Sequence, residues 1–131
     1  MKYLVDTSVL IHSLISRPKL NDRALGLLAD DSSELYLSAV SSWEIAIKAG
    51  TGKLALPERP SQIVTRAMRS MSLQPLDITH LHALAVEDLP IHHRDPFDRM
   101  LIAQARSEGM VLLTADRVFQ KYKVESIFCG K

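Results

Sequence analysis

Four acidic residues stand where a chain of alternating strands and helices gathers its chemistry. Asp6 directly follows the apolar run Tyr3-Leu4-Val5, and Asp116 comes two residues after the run Met110-Val111-Leu112-Leu113-Thr114. Glu44 lies in the segment after Glu34-Leu35-Tyr36-Leu37-Ser38, and Asp98 lies in the first turn of a segment opened by Asp95-Pro96. Each acid has an ordinary structural reading. Asp6, Asp95 and Asp116 are of the type that caps helix starts, Pro96 suits a first helical position, and the helix dipole favours negative charge there. Glu44 and Lys48 form an i,i+4 pair, which on a surface is worth only about 0.3–0.5 kcal/mol. Two details pull the other way. Glu44 has Val40 and Ile47 as helical neighbours, and Asp98 has Leu101 and Ile102, so both lean toward apolar faces. An unpaired carboxylate there costs several kcal/mol or takes up a proton. A metal ion removes that conflict, and hard oxygen donors without thiolate or paired imidazole suit Mg²⁺ or Mn²⁺.

The elements that position these acids follow from hydrophobic spacing. Short apolar runs at 3–5, 34–38, 73–76, 110–114 and 126–128 read as strands. Pro75 places the third at an edge or a strand end. Between them lie helical patterns: Val9 to Ile15, broken by Arg17-Pro18; a segment capped by Asn21 or Asp22; 39–49, ended by Gly50-Thr51-Gly52; 61–71, after a loop between Pro57 and Pro60; and a segment capped by Thr79. Another runs from Asp95-Pro96 to Gly109, and Asp116 starts a short one. This alternation predicts an α/β fold, three layers deep, with a mostly parallel central sheet covered on both faces. In such sheets ligands bind beyond the carboxyl ends of the strands, which is where the acids fall.

Composition sets the frame. The 131 residues fit a single domain, 1–131, with 47% hydrophobic and 24% charged residues. Sixteen Lys+Arg against 15 Asp+Glu leave a net charge of +1, so nucleic-acid binding through bulk positive charge is excluded. Cys129 is the only cysteine, which excludes an internal disulfide and suits a reducing compartment. No apolar run approaches the roughly 20 residues of a membrane span, and Asp6 interrupts the only signal-like stretch. The expected location is the cytoplasm, with no membrane partner.

Other motifs carry less. Gly50-Thr51-Gly52-Lys53 mimics the end of a phosphate-binding loop, but Ile47 replaces its first glycine and Leu54 its hydroxyl residue. His80 and His82 do not share a helix face, and His92-His93 has no further ligand at zinc spacing. His93 reads as part of a solvated loop or, alternatively, as a residue at the rim of the acidic site. The aromatic residues are too scattered to show a stacking platform for bases.

Taken as motifs, Asp6-Thr7-Ser8, Trp43-Glu44-Ile45-Ala46-Ile47-Lys48, the block from Asp95-Pro96-Phe97-Asp98 through Ala105, and Leu113-Thr114-Ala115-Asp116 resemble the PIN domain, and more closely the VapC toxins of bacterial VapBC toxin–antitoxin pairs. The likeness runs from about Lys2 to Phe128. It implies an Mg²⁺- or Mn²⁺-dependent endoribonuclease whose acidic residues map onto Asp6, Glu44, Asp98 and Asp116 and whose products carry a 5′-phosphate and a 3′-hydroxyl. In that reading Asp6 and Asp98 are the first-choice metal ligands, while Glu44 and Asp116 complete the site or orient the attacking water. Asp95 is a cap or supports the site from beside it. Lys48, Arg94 and Arg99 are candidates to hold the flanking RNA phosphates, with a solvated charge as the alternative for each. The resemblance also implies a cognate antitoxin and a homodimer. Two other readings stay open: a PIN-like binding module with weak activity, and a phosphatase-like domain with Asp6 as nucleophile, although no second aspartate shares its loop.

Overall fold

In the computed structural model, which describes residues 1–131, all five strands run parallel. They are β1 (Lys2–Val5), β2 (Glu34–Ser38), β3 (Gln74–Leu76), β4 (Val111–Thr114) and β5 (Ser126–Phe128). Parallel neighbours need crossovers, and the helices supply them. These are α1 (Thr7–Ile15), α2 (Asp22–Ala29), α3 (Ala39–Gly50), α4 (Pro60–Ser70), α5 (His80–Ala85) and α6 (Pro96–Glu108). The strand order is β3-β2-β1-β4-β5. The chain therefore builds outward from β1 to one edge, then returns beside β1 to build the other half. The switch in direction falls between β1 and β4, in register Tyr3↔Val111, Leu4↔Leu112 and Val5↔Leu113.

Strand alternation divides the core between the two faces. Val5, Leu35, Leu37 and Leu113 pack with Val9 and Leu10 of α1 and with Ile63 and Val64 of α4. Leu4 and Leu112 pack on the opposite face with Leu101 and Ile102 of α6 and with Phe119. Helix α3 contributes to both faces, Ile45 to the first cluster and Val40 to the second, and it contacts α1, α4 and α6. No helix is long and apolar enough to cross a membrane.

Local rules explain most boundaries. Asn21 caps α2 by accepting from the Ala24 N–H, Ser38 caps α3 through Val40, and Thr79 forms a capping box with His82. Gly109 ends α6 in the left-handed conformation, at φ 66°, where a side chain would be strained. Pro75 lies in β3, which pairs only with β2 and so is an edge strand. The short helix expected to start at Asp116 is present as a 3₁₀ turn, Arg117–Lys121, with Asp116 as its cap. The connection between β4 and β5 spans only residues 115–125, too short for an α-helix and its return to a parallel neighbour.

Candidate metal centre at the sheet switch point

The switch between β1 and β4 leaves a crevice at the carboxyl ends of the strands, and the acids converge there. Asp6, Glu44, Asp98 and Asp116 line one cleft of about 220 Å³, and Asp95, Lys48, Ser8 and Thr7 also reach it. Asp6 enters from the end of β1, Glu44 from α3, Asp98 from the first turn of α6, and Asp116 from the residue before the 3₁₀ turn.

Asp6 occupies the N-cap position of α1, yet its side chain makes no capping bond. Its Oδ2 instead accepts from Ser8 Oγ at 2.7 Å and from Thr114 Oγ1 at 2.8 Å, which ties β1 to β4 across the crevice. The carboxyl is buried, and this pushes its pKa up to about 6. The Ser8 and Thr114 bonds oppose that rise and the charge of Glu44 adds to it. The capping role considered for Asp6 is thus set aside: an aspartate that caps nothing is held by hydroxyls in a buried cleft.

Asp98 is raised further, to about 8, first by burial and then by the charges of Asp6, Asp95, Glu44 and Asp116. That set of neighbours shows how closely the acids are gathered. Its Oδ2 lies 3.2 Å from His93 Nε2. Asp95 and Asp116, by contrast, do behave as caps. Asp95 accepts from the Phe97 and Asp98 N–H groups, and Asp116 accepts from the Val118 N–H at 3.0 Å. Both still border the cleft.

Glu44 pairs with Lys48, but not as a surface i,i+4 pair. Its side chain is 5% exposed against 38% for the lysine, and its Oε1 is buried without any hydrogen-bond partner. The Glu44 bond raises the Lys48 pKa, with Asp95 and Asp98 adding to it. Of the other basic candidates, Arg94 is exposed. Arg99 donates to the carbonyls of Pro90, Val86 and Leu89, which braces the loop before α6, and it does not line the cleft.

Two features escaped the sequence. His93 is not a solvated loop residue: it is 19% exposed and bonded on both ring nitrogens, to Tyr122 and to Asp98. Nothing in the spacing of residues 93 and 122 announces that contact. Trp43 and Phe97 also meet edge to face at 5.3 Å beside Glu44 and Asp98, so these two aromatics are not scattered as expected.

The donor set fits a hard divalent cation. It is all oxygen and anionic, and it includes a buried orphan, Glu44 Oε1, that no group of the chain satisfies. The acids line the cleft without closing on one another: no three of them are gathered tightly enough to chelate an ion as the side chains stand.

Comparison with known proteins agrees with this architecture. The model of the PIN domain family matches residues 3–125. Ribonuclease VapC16 of Mycobacterium tuberculosis (strain ATCC 25618 / H37Rv) is 39% identical over 56 residues, spanning 43% of this chain and 40% of that protein. The chain thus matches less than half the length of that relative. Among solved structures, VapBC2 from Rickettsia felis bound to a promoter DNA fragment superposes with a TM-score of 0.77 at 16% identity, over 98% of this chain and 99% of that one. DNA-bound VapBC from Salmonella typhimurium gives 0.69 at 20% identity over 98% of each chain. FitAcB from Neisseria gonorrhoeae gives 0.64 at 22%, over 95% and 96%. At these identities the superpositions speak for the fold alone. The family match spans nearly the whole chain and takes in all four acids of the cleft, and on that basis the chain belongs to the PIN domain family.

Proposed function

We propose that the chain is a divalent-metal-dependent endoribonuclease, the toxin of a VapBC-type pair, acting in the cytoplasm and held in check by a cognate antitoxin. The observation that carries this reading is the orphaned Glu44 Oε1 beside Asp6 and Asp98, two carboxyls whose pKa values are pushed up by burial and mutual charge. A chain gains nothing in stability from such a cluster, whereas a bound cation repays it. The partial match to a ribonuclease and the fold shared with toxin–antitoxin complexes support the same reading.

When bound, Mg²⁺ or Mn²⁺ supplies polarisation of a phosphate oxygen and a lowered pKa for the attacking water. The residues do the rest. Asp6 and Asp98 are the primary ligands, with Glu44 and Asp116 completing the set or orienting the water. Ser8 and Thr114 keep Asp6 aimed into the cleft. Lys48 reaches the same cleft, where it offsets the acidic charge and offers a phosphate contact, with Arg94 as a more distant one. An antitoxin segment carrying Arg or Lys would silence the site by a charge-assisted contact with the same carboxylates. A homodimer is the assembly in keeping with the family.

The test is direct. Wild-type chain and Asp98→Asn are incubated with RNA in Mg²⁺, Mn²⁺ or EDTA, and product ends are mapped. The expected result is metal-dependent cleavage leaving 5′-phosphates, lost in the variant. Cleavage that persists in EDTA, or an RNA-inert wild-type chain that binds the ion, overturns the nuclease reading. Growth arrest on expression, relieved by the product of a neighbouring small gene, tests the toxin assignment separately.

A further inference from the structure

The hydrogen bonds that join the loop before α6 to the turn after β4 converge on the Tyr122 hydroxyl. That oxygen accepts from the backbone N–H groups of His92 and His93, each at 3.3 Å, and lies 2.8 Å from His93 Nδ1. A phenol oxygen has two lone pairs and one proton. With both lone pairs engaged by backbone donors, the proton goes to Nδ1, which must then be the acceptor nitrogen of the ring. The tautomer follows: the imidazole proton sits on Nε2, which donates to Asp98 Oδ2 at 3.2 Å. Edge-on packing of the His93 ring against Tyr122 and Phe119 fixes its plane. Asp98 Oδ1 accepts nothing from the chain, and the residue borders the cleft.

We propose that His93 is a positioning residue for Asp98, held as an Nε2–H donor by the Tyr122 hydroxyl so that one carboxylate oxygen is anchored and the other is left for the cation. The proposal rests on the reading of the cleft as a divalent-ion site. Groups that orient a ligating carboxylate in this way set metal affinity without touching the ion. His93 reaches neither substrate nor metal; its effect passes through Asp98. The arrangement also explains why the loop from Pro90 to Asp95 is bonded from both sides, by Arg99 at the Pro90 carbonyl and by Tyr122 at His92 and His93.

The experiment measures Mn²⁺ affinity by electron paramagnetic resonance of free Mn²⁺ on full-length wild type, His93→Leu, His93→Gln and Tyr122→Phe, with thermal melts to establish that each is folded. Gln carries an amide N–H near the place of Nε2, so it keeps the donor while losing the ring. The expected result is a loss of about 10- to 100-fold in Mn²⁺ affinity for His93→Leu. His93→Gln should recover most of that loss, and Tyr122→Phe should fall between wild type and His93→Leu. A purely structural role would lower melting temperatures while leaving the affinity of the folded protein unchanged, and that outcome overturns the proposal. So does a His93→Gln variant as weak as His93→Leu, because the donor would then not be what matters. If His93→Leu fails to fold, the Gln and Phe variants decide by the same criteria. Wild type that binds no Mn²⁺ overturns the metal reading itself, and this proposal with it. Wild type that binds tightly beside unaffected variants overturns this proposal alone.

Discussion

Helix α6 carries a histidine–carboxylate pair at each end, and the two pairs differ in what else faces the acid. At the C-terminal end, His82 Nε2 lies 2.9 Å from Glu108, whose side chain is 40% exposed. The rest of that network is closed. The Thr79 N–H and Gln104 Nε2 reach His82 Nδ1, Gln104 Oε1 accepts from Ser38 Oγ, and Ser38 Oγ caps α3 by accepting from Val40. At the N-terminal end, the acid of the His93–Asp98 pair is 16% exposed and faces four other carboxylates. The first network is buried and satisfied, so it reads as structure. The second is buried and unsatisfied at Glu44 Oε1, and on the proposed reading a cation supplies the missing partner. Similar side-chain chemistry then makes a strut at one end of a helix and a candidate site at the other. Residual charge and an orphan oxygen tell them apart.

The largest effect expected to sharpen this contrast is on activity. A bound cation is worth several kcal/mol of transition-state charge stabilisation, and on the proposed reading Asp98 helps to hold it. Asp98→Asn should therefore lower Mg²⁺-dependent RNA cleavage by about 100-fold or more, while Glu108→Gln should leave it within about twofold. Equal losses in initial-rate assays would erase the distinction. Next in size is stability without metal. Gln104→Leu takes away the acceptor of the buried Ser38 hydroxyl proton and one of the two donors to His82 Nδ1, and a stranded buried group costs about 1–3 kcal/mol. Urea denaturation should show a loss of that size, about 1–3 kcal/mol. In the same assay Asp98→Asn should be neutral or stabilising, because it relieves repulsion.

The third prediction joins pH to metal. Asp6 and Asp98 have folded pKa values of about 6 and about 8, above the value of about 4 in an unfolded chain. Over that interval the folded state holds protons that the unfolded state has released. Their contribution to stability is full below about pH 4 and is lost as pH rises through about 6 for Asp6 and about 8 for Asp98. Metal-free melting temperature should accordingly decline from pH 5 to pH 8. Saturating Mg²⁺ binds the ionised acids, so it should stabilise most at pH 8, by about 2.7 kcal/mol at a hundredfold excess over Kd. A metal-free melting temperature that climbs over this range would contradict the buried-acid account.

The acids and the strands that carry them were legible because both depend on local pattern. Tyr3-Leu4-Val5 before Asp6 and the Pro96–Gly109 brackets around α6 are short-range signals, and they gave the α/β class and the site's place at the strand ends. The i,i+4 spacing of Glu44 and Lys48 was equally visible, and the apolar neighbours of Glu44 pointed to its burial; how deep it sits, while Lys48 stays partly exposed, is set where α3 meets α1, α4 and α6. His93–Tyr122 and Asp6–Thr114 are contacts between distant stretches, set by strand order, and no residue spacing encodes them. The orientation of Arg99 was hidden for a similar reason. Its carbonyl partners lie in the turn after α5, whose path depends on how α5 packs on α6.

The smallest effect addresses the one residue that belongs to both sides of the contrast. Asp116 caps the 3₁₀ turn through Val118, as a strut would, and it borders the acidic cleft, as a ligand would. Two substitutions separate these roles. Asparagine keeps a carbonyl oxygen for the Val118 N–H and removes the charge, whereas alanine removes both. Loss of a cap costs about 0.5–2 kcal/mol, so Asp116→Ala should melt lower than wild type and Asp116→Asn should stay close to it. If Asp116 also serves the cation, both variants should weaken Mn²⁺ binding several-fold, and Asp116→Asn should do so without losing stability. Wild-type Mn²⁺ affinity in Asp116→Asn together with a lower melting temperature in Asp116→Ala would make Asp116 a cap alone. The centre would then comprise Asp6, Glu44 and Asp98, the acids whose side chains make no capping bond.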